Sequence, residues 1–129
     1  ITPWDFSLYT PHVVIIAIGQ NDSNPQDYMG RDEEKSARWK RRYIEFVKQL
    51  RGKYPDALLI LTTTILNHDK AWDNAIDNIA EELCDPKVVH FLYSNNGCGT
   101  PGHIRIPEAE KMAEELTAFI ESFGEGIWK

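Results

Sequence analysis

The sequence predicts an α/β fold in which a doubly wound parallel sheet is flanked by helices. Three short apolar runs are rich in β-branched residues: 13–18, 58–64 and 88–92. Each run follows a turn signal and precedes a polar loop and a segment of helical character. Strands that alternate with helices are typical of a parallel sheet joined by right-handed crossovers.

The first run, VVIIAI at residues 13–18, shows no alternation between apolar and polar residues. A strand that is apolar on both faces is normally covered on both and lies inside a sheet. Such a strand at an open edge would be free to pair with another chain. Because three strands make a small sheet, we expect further strands, and we interpret the chain as the later part of a larger domain.

Three helices are predicted, at residues 33–51, 72–83 and 107–123. Their apolar residues recur at helical spacing and are expected to face the core. These are Trp39, Tyr43, Phe46, Val47 and Leu50 in the first helix, Ala75, Ile76, Ile79, Ala80 and Leu83 in the second, and Met112, Ala113, Leu116, Phe119 and Ile120 in the third.

Composition narrows the function classes. The 129 residues suffice for one domain, with 42% apolar and 26% charged residues. The net charge of −6 argues against binding to nucleic acid. No apolar run approaches the roughly 20 residues of a membrane helix, and no signal peptide is visible. Cys84 and Cys98 do not make a metal site, and either a disulfide or two thiols fits the sequence.

The loop GQND, residues 19–22, follows the first strand, where open parallel sheets bind their ligands. Gly19 lets the backbone turn closely past a ligand. Asn21 offers a neutral amide donor, the kind of group that stabilises a developing oxyanion. Asp22 is expected to accept backbone N–H groups and to hold the shape of the loop. Alternatively, the stretch is an ordinary strand-to-loop turn.

His103 lies in a Gly- and Pro-rich loop between the third strand and the third helix, at the same edge of the sheet. A histidine there can serve as a general base, although a surface or capping histidine has the same pattern. After the second strand, Trp72 could stack on a sugar ring and His68 could contact substrate. The alternatives are a core aromatic and a solvated loop histidine.

Taken together, these stretches resemble the SGNH, or GDSL-type, hydrolase superfamily. IGQND is similar to its Gly-x-Asn-Asp block, and the stretch from His103 to Leu116 is similar to its last block. The opening WDF…PHVVIIAIGQND and the GH…KMAEEL ending look most like family two carbohydrate esterases, such as acetyl xylan esterases. The resemblance spans about residues 4 to 123.

The resemblance implies a flavodoxin-like SGNH fold, with residues 1–129 as the C-terminal portion of a single hydrolase domain. It implies a Ser–His esterase that removes acetyl groups from xylan or related polysaccharides and is secreted. His103 would be the general base and Asn21 an oxyanion donor, while Gly19 and Asp22 would shape the loop. The expected partners are the acetylated polysaccharide and an N-terminal segment of the same domain, with no membrane, nucleic acid, metal or organic cofactor.

The sequence also departs from the superfamily pattern. It contains no Gly-Asp-Ser block, so the nucleophilic serine is expected outside this chain. The position three residues before His103, an aspartate in many members, is Thr100; family two esterases use a Ser–His dyad, which agrees with this departure. Ile104 replaces the usual proline, which should make the loop less rigid.

Two other interpretations stay open. One is a non-catalytic flavodoxin-like module, such as a receiver or protein-binding domain. Asp22 could serve a receiver, but the third strand ends in Tyr93, Ser94 and Asn95 without the lysine that a receiver needs. The other is a truncated product without activity of its own.

Overall fold

In the computed structural model, which describes residues 2–129, a three-stranded parallel sheet is packed between helices. The strands are β1 (Val13–Ala17), β2 (Leu58–Thr62) and β3 (Val88–His90). The helices are α1 (Glu33–Lys53), α2 (Lys70–Leu83) and α3 (Ile106–Glu121). Short 3₁₀ turns lie at Phe6–Leu8 and Glu125–Trp128.

The sheet order is β1-β2-β3, and both strand pairs are parallel. The register places Val13 opposite Leu58 and Leu59 opposite Val88. All three strands therefore end at one edge of the sheet, which we call the carboxyl rim. The predicted order of strands and helices is confirmed, and each strand ends one or two residues earlier than predicted because the backbone turns into its loop there.

Helices cover both faces of the sheet, which confirms the doubly wound class. Leu59 and Leu61 of β2 pack in one apolar cluster with residues of α1 and α2. Leu58 and Ile60 point to the other face, where the apolar side of α3 joins their cluster. Because β2 is covered on both sides, all five of its residues are buried.

Strand β1 lies at an edge of the sheet and is less well covered than its sequence predicts. Val14 and Ile16 pack against the α1–α2 cluster. Ile15 faces the opposite side and is 46% exposed, and Ile18 just beyond the strand is 40% exposed. Within residues 2–129, the second face of this strand is therefore only partly covered, because Val13 packs against the cluster on the α3 side while Ile15 is exposed.

Two of the predicted core positions are wrong. Phe46 is 42% exposed, because it lies on the flank of the α1 stripe whose centre is Tyr43 and Val47. Ala113 of α3 is also exposed, because the inward stripe of that helix is narrower than expected. That stripe consists of four partly buried residues, Met112, Leu116, Phe119 and Ile120.

One guanidinium group holds together the loops at the opposite edge of the sheet. Arg51 Nε lies 2.7 Å from a carboxylate oxygen of Asp85. Its Nη1 donates to the carbonyl oxygens of Tyr54 and Ala57 at 3.1 and 2.7 Å, and its Nη2 donates to that of Lys87 at 3.2 Å. The rigid donor fork of arginine suits this set of acceptors.

The open question about the cysteines has an answer in the structure. Cys84 and Cys98 are both free thiols, and both are exposed. Among residues 2–129, no three His, Cys, Asp or Glu side chains are grouped so that they could hold a metal ion. In the same range, no helix is both long enough and apolar enough to cross a membrane.

Candidate active site

The loop that follows β1 is joined to the loop that follows β2 through the side chain of Gln20. Its Nε2 donates to the carbonyl oxygen of Asn67 at 3.2 Å. Its Oε1 accepts a hydrogen bond from Thr64 Oγ1 at 3.0 Å and lies 3.1 Å from His68 Nδ1. Gln20 directly precedes Asn21, so the candidate oxyanion donor is next to this junction.

The loop that follows β2 is in turn joined to the loop that follows β3 through backbone hydrogen bonds. The Gly97 N–H donates to the Thr64 carbonyl at 3.1 Å, and the His68 N–H donates to the Gly97 carbonyl at 3.2 Å. The Asn67 N–H donates to the Thr100 carbonyl at 3.3 Å. The loops that carry Asn21 and His103 therefore lie on the same rim, each bonded to the β2 loop between them.

Both candidate catalytic residues are exposed at this rim. The turn before His103 is stabilised by Thr100, whose Oγ1 accepts a hydrogen bond from the Gly102 N–H at 3.3 Å. Within residues 2–129, neither the Asn21 amide nor the His103 imidazole has a side-chain hydrogen-bond partner. Both groups are therefore accessible to a ligand at the rim.

Gly19 has a backbone conformation that other residues rarely adopt, with φ of +112°. A Cβ atom there would lie 3.3 Å from Cζ2 of Trp39 and 3.6 Å from Cε3 of Trp72. Both the dihedral angle and the close aromatic rings favour glycine at this position. The turn that presents Asn21 thus depends on a residue without a side chain.

The expectation for Asp22 is wrong, because within residues 2–129 its carboxylate accepts no backbone N–H group. Asp22 is exposed, and Ser23 stabilises the loop instead. Ser23 Oγ donates to the Gln20 carbonyl at 2.6 Å, and the Asn24 N–H donates to the Asn21 carbonyl at 3.2 Å. The hydroxyl group of Ser23, and not the carboxylate of Asp22, thus stabilises this turn.

His68 is not available as a direct substrate contact, because its side chain is only 1% exposed. Its Nε2 lies 3.0 Å from each carboxylate oxygen of Asp73. Its Nδ1 lies 2.7 Å from the carbonyl oxygen of Leu66 and 3.1 Å from Gln20 Oε1. Since both ring nitrogens face acceptors, the geometry favours the doubly protonated imidazolium.

Electrostatics agree with a charged His68–Asp73 pair. Burial lowers the pKa of His68, but hydrogen bonding to Asp73 and the negative charge of Asp73 outweigh it, so the pKa is raised above its ordinary value. Burial raises the pKa of Asp73, but hydrogen bonds from His68 and Thr63 outweigh it, so that pKa is lowered. Each partner thus favours the ionised form of the other.

Sequence reasoning missed Asp73, the acceptor at the centre of this network. Thr63 Oγ1 donates to Asp73 Oδ1 at 2.8 Å, and Asn96 Nδ2 donates to the same oxygen at 2.9 Å. Asp73 lies in the first turn of α2, where the helix dipole favours a negative charge. The sequence offers one signal for it. Asp73 directly follows Trp72, at the start of a predicted helix whose apolar side faces the core.

Trp72 cannot contact a substrate either, because it is fully buried at 0% exposure. Its ring packs edge-on against Trp39 and Tyr28, with centroids 5.2 and 5.1 Å apart. Its Nε1 donates to Asp27 Oδ1 at 2.8 Å. The ring therefore supports the loop of Asn21 from inside the core and cannot stack on a sugar.

A polar cleft of about 450 Å³ opens at the rim and is lined by residues from all three loops. Hydroxyl, amide and carboxylate groups dominate its lining: Ser23, Asn24, Asp27, Asn67, His68, Asp69 and Gly97. Beside it, Arg31 lies 3.4 Å from Asp27 and 3.3 Å from Asp69. Such a lining suits a ligand that is rich in hydroxyl groups.

No protein-family model matches the chain. Among curated proteins, it is 32% identical over 118 residues to an acetylxylan esterase / glucomannan deacetylase of Cellvibrio japonicus. That match covers 88% of this chain and 31% of the relative. The chain thus spans about a third of the length of this relative.

Solved structures give the same picture. A family two carbohydrate esterase from Cellvibrio japonicus matches with a TM-score of 0.72 and 29% identity, over 92% of this chain and 35% of that one. Another, from Clostridium thermocellum in complex with cellohexaose, matches with a TM-score of 0.69 and 29% identity, over 92% of this chain and 38% of that one. Fold and sequence similarity therefore agree on one group of enzymes, of which this chain corresponds to a part.

Proposed function

Because the homologues and structural neighbours of this chain are family two carbohydrate esterases, we propose that it forms the C-terminal portion of a single SGNH hydrolase domain. The complete protein then removes acetyl groups from xylan or related polysaccharides. The partial coverage of the relatives supports this division of the domain. The edge strand β1 is only partly covered, with Ile15 exposed, and in this proposal the N-terminal segment of the domain packs there.

The reaction is acyl transfer by a serine outside residues 1–129. The serine oxygen attacks the acetyl carbonyl while His103 takes its proton, and the Asn21 amide donates a hydrogen bond to the oxyanion. When the ester bond breaks, His103 returns the proton to the departing sugar oxygen. A water molecule, deprotonated by His103, then attacks the acetyl-enzyme, and His103 returns that proton to the serine oxygen as the acetyl–serine bond breaks and acetate leaves.

One observation carries the assignment of roles: the loops of Asn21 and His103 are both bonded to the loop after β2 at the carboxyl rim. A neutral donor and a base at one rim are what acyl transfer requires. Thr100 stands where many superfamily members have an aspartate, so the proposed mechanism uses a Ser–His dyad without a third carboxylate. This chain without its serine is expected to show essentially no turnover.

The substrate is an acetylated polysaccharide, and the protein is secreted. A structural neighbour binds cellohexaose, which supports a sugar chain as ligand. The hydroxyl- and amide-lined cleft at the carboxyl rim is compatible with such a chain. No metal or organic cofactor takes part in the proposed steps.

The test is acetate release from acetylated xylan by the complete gene product. His103→Ala is expected to lower kcat about 10³-fold or more, since it removes the general base. Asn21→Ala is expected to lower kcat about 10²- to 10³-fold with a smaller change in KM. His12→Ala is the matched control, because His12 is an exposed histidine before β1, at the opposite edge of the sheet.

Full activity of the His103→Ala variant would show that the esterase assignment is wrong. A wild-type gene product without any esterase activity would instead favour a non-catalytic module or an inactive product. An unchanged kcat in the Asn21→Ala variant would remove only that residue from the oxyanion hole. Substantial turnover by residues 1–129 alone would mean that a serine within them is the nucleophile.

A further inference from the structure

Gln20 occupies the variable position of the Gly-x-Asn-Asp block, yet its side chain has defined partners on a neighbouring loop. The amide makes three polar contacts at its two ends, with Asn67, Thr64 and His68, at 3.0 to 3.2 Å. Asn21, its neighbour, is exposed and has no side-chain hydrogen bond within residues 2–129. The placement of Asn21 therefore depends on how firmly the backbone of Gln20 is held.

The anchor behind Gln20 is rigid. His68 is fixed at both ring nitrogens, by Leu66 and Gln20 on one side and by Asp73 on the other. Asp73 is itself fixed by Thr63 and Asn96. The His68 side chain is 1% exposed, so water does not compete for these bonds.

We propose that Gln20 is a positioning residue for Asn21, and that it acts through its hydrogen bonds to Thr64, His68 and Asn67. This inference rests on the proposed esterase function. An oxyanion donor contributes to the rate only when it is held at the place where negative charge develops. Gln20 therefore affects the transition state more than the binding of substrate.

The same contacts give the buried His68–Asp73 pair a role in the proposed reaction, although neither residue is a catalytic group in it. The charge of His68 strengthens its hydrogen bond to Gln20 Oε1, since bonds with an ionised partner are stronger than neutral ones. Thr64 contributes a second donor to that oxygen while its Oγ1 accepts the Leu66 N–H at 3.1 Å. The loop of Asn21 is thus hydrogen-bonded to the segment that directly follows β2.

The decisive variant is Gln20→Met, which keeps the side-chain length but removes both polar ends. In the complete gene product, we expect kcat for acetate release to fall about 10- to 100-fold, with KM changing less than about 3-fold. The matched control is Gln49→Met, at an exposed position near the C-terminal end of α1. It should leave kcat and KM unchanged.

A double-mutant cycle separates positioning from general damage. If Gln20 acts through Asn21, Gln20→Met should cost less than about 3-fold in kcat when Asn21 is already alanine. Thr64→Val removes one donor to Gln20 Oε1 and serves as the second variant, should Gln20→Met fold poorly. It should lower kcat in the same direction, by about 3- to 10-fold, and should likewise lose its effect in the Asn21→Ala background.

The inference is overturned if the wild type is an active, His103-dependent esterase and Gln20→Met stays within 2-fold of its kcat. It is equally overturned if the losses in the double variant simply multiply, because Gln20 would then act independently of Asn21. A wild type without esterase activity is a different result, since it removes the proposed function and the inference together.

Discussion

The substitution Asp73→Asn should expose the energetic role of the buried ion pair. The new side chain has nearly the same shape, but it removes the negative charge that faces His68 Nε2 at 3.0 Å. The amide can still accept the hydrogen bonds that Thr63 and Asn96 donate to Asp73 Oδ1. The loss therefore comes mainly from the charge.

The magnitude follows from the burial of the pair. Removing one partner of a buried ion pair typically costs about 3 to 5 kcal/mol, because the other charge is left uncompensated. Here His68 can avoid that state by losing its proton, so we expect the free energy of unfolding to fall by about 3 kcal/mol near pH 5. The fall should shrink to about 1 kcal/mol near pH 8, where the remaining loss is that of a hydrogen bond.

The sign of the pH dependence should also reverse. In the wild type, the pKa of folded His68 lies above its ordinary value of 6.5, so its contribution is complete below that pH and is lost as pH rises through the raised pKa. Asp73, with a folded pKa below 3.8, contributes above that pH and loses its contribution as pH falls through the lowered pKa. The pair therefore stabilises most between about pH 4 and 6.5.

In the Asp73→Asn variant, burial dominates the titration of His68 and lowers its pKa. The unfolded chain then binds a proton below about pH 6.5 that the folded chain does not, so stability should fall as pH is lowered from 7 to 5. Urea unfolding followed by tryptophan fluorescence at pH 5, 6, 7 and 8 measures both effects. Trp72 is a suitable reporter, because it is fully buried next to Asp73 in sequence.

Asp77→Asn is the matched control for this experiment. Asp77 lies one turn further along α2, is 58% exposed and faces His90 Nδ1 at 3.2 Å. A hydrogen bond to an exposed carboxylate contributes about 1 kcal/mol or less, so the control should stay close to the wild type. If Asp73→Asn unfolds like the wild type within about 0.5 kcal/mol and shows the same pH slope, the pair is not ionised as its geometry indicates.

Two further substitutions test other parts of the structure. Gly19→Ala should lower the free energy of unfolding by about 2 kcal/mol, because φ is +112° and the new Cβ would lie 3.3 Å from Trp39; Gly102→Ala, with open space around it, is the control. Arg51→Lys should cost about 2 kcal/mol, because an ammonium group cannot serve the carboxylate and the several carbonyl oxygens at once. Arg41→Lys, at an exposed position of the same helix, should change the unfolding midpoint little.

Periodicity predicted the main elements of the fold. Strand β2 is apolar from Leu58 to Leu61, and helices cover it on both faces. The amphipathic stripes of α1 and α3 predicted which sides face the sheet, apart from flanking positions such as Phe46 and Ala113. Both errors have the same cause. An apolar stripe shows which side of a helix faces the sheet, but it does not show whether neighbouring elements also cover the residues at the edges of that stripe.

The candidate site was predicted less completely. The positions of Asn21 and His103 on one rim followed from topology, because loops after parallel strands emerge at the same edge. The local setting of Trp72 and His68 did not follow, since the sequence places both after a strand but does not indicate which way they point. In the folded chain, Trp72 is a buried core residue, and His68 is a member of a buried ion pair with Asp73.

By itself, the sequence determined the class of fold, the edge of the sheet at which chemistry is expected and the resemblance to carbohydrate esterases. Only the tertiary structure decided that Gln20, His68 and Asp73 form one connected network, because Gln20 lies in the loop after β1 and the other two lie 48 or more residues further along the chain. Short motifs and periodicity report on neighbours along the chain, whereas hydrogen bonds between loops depend on distances that only the folded chain sets.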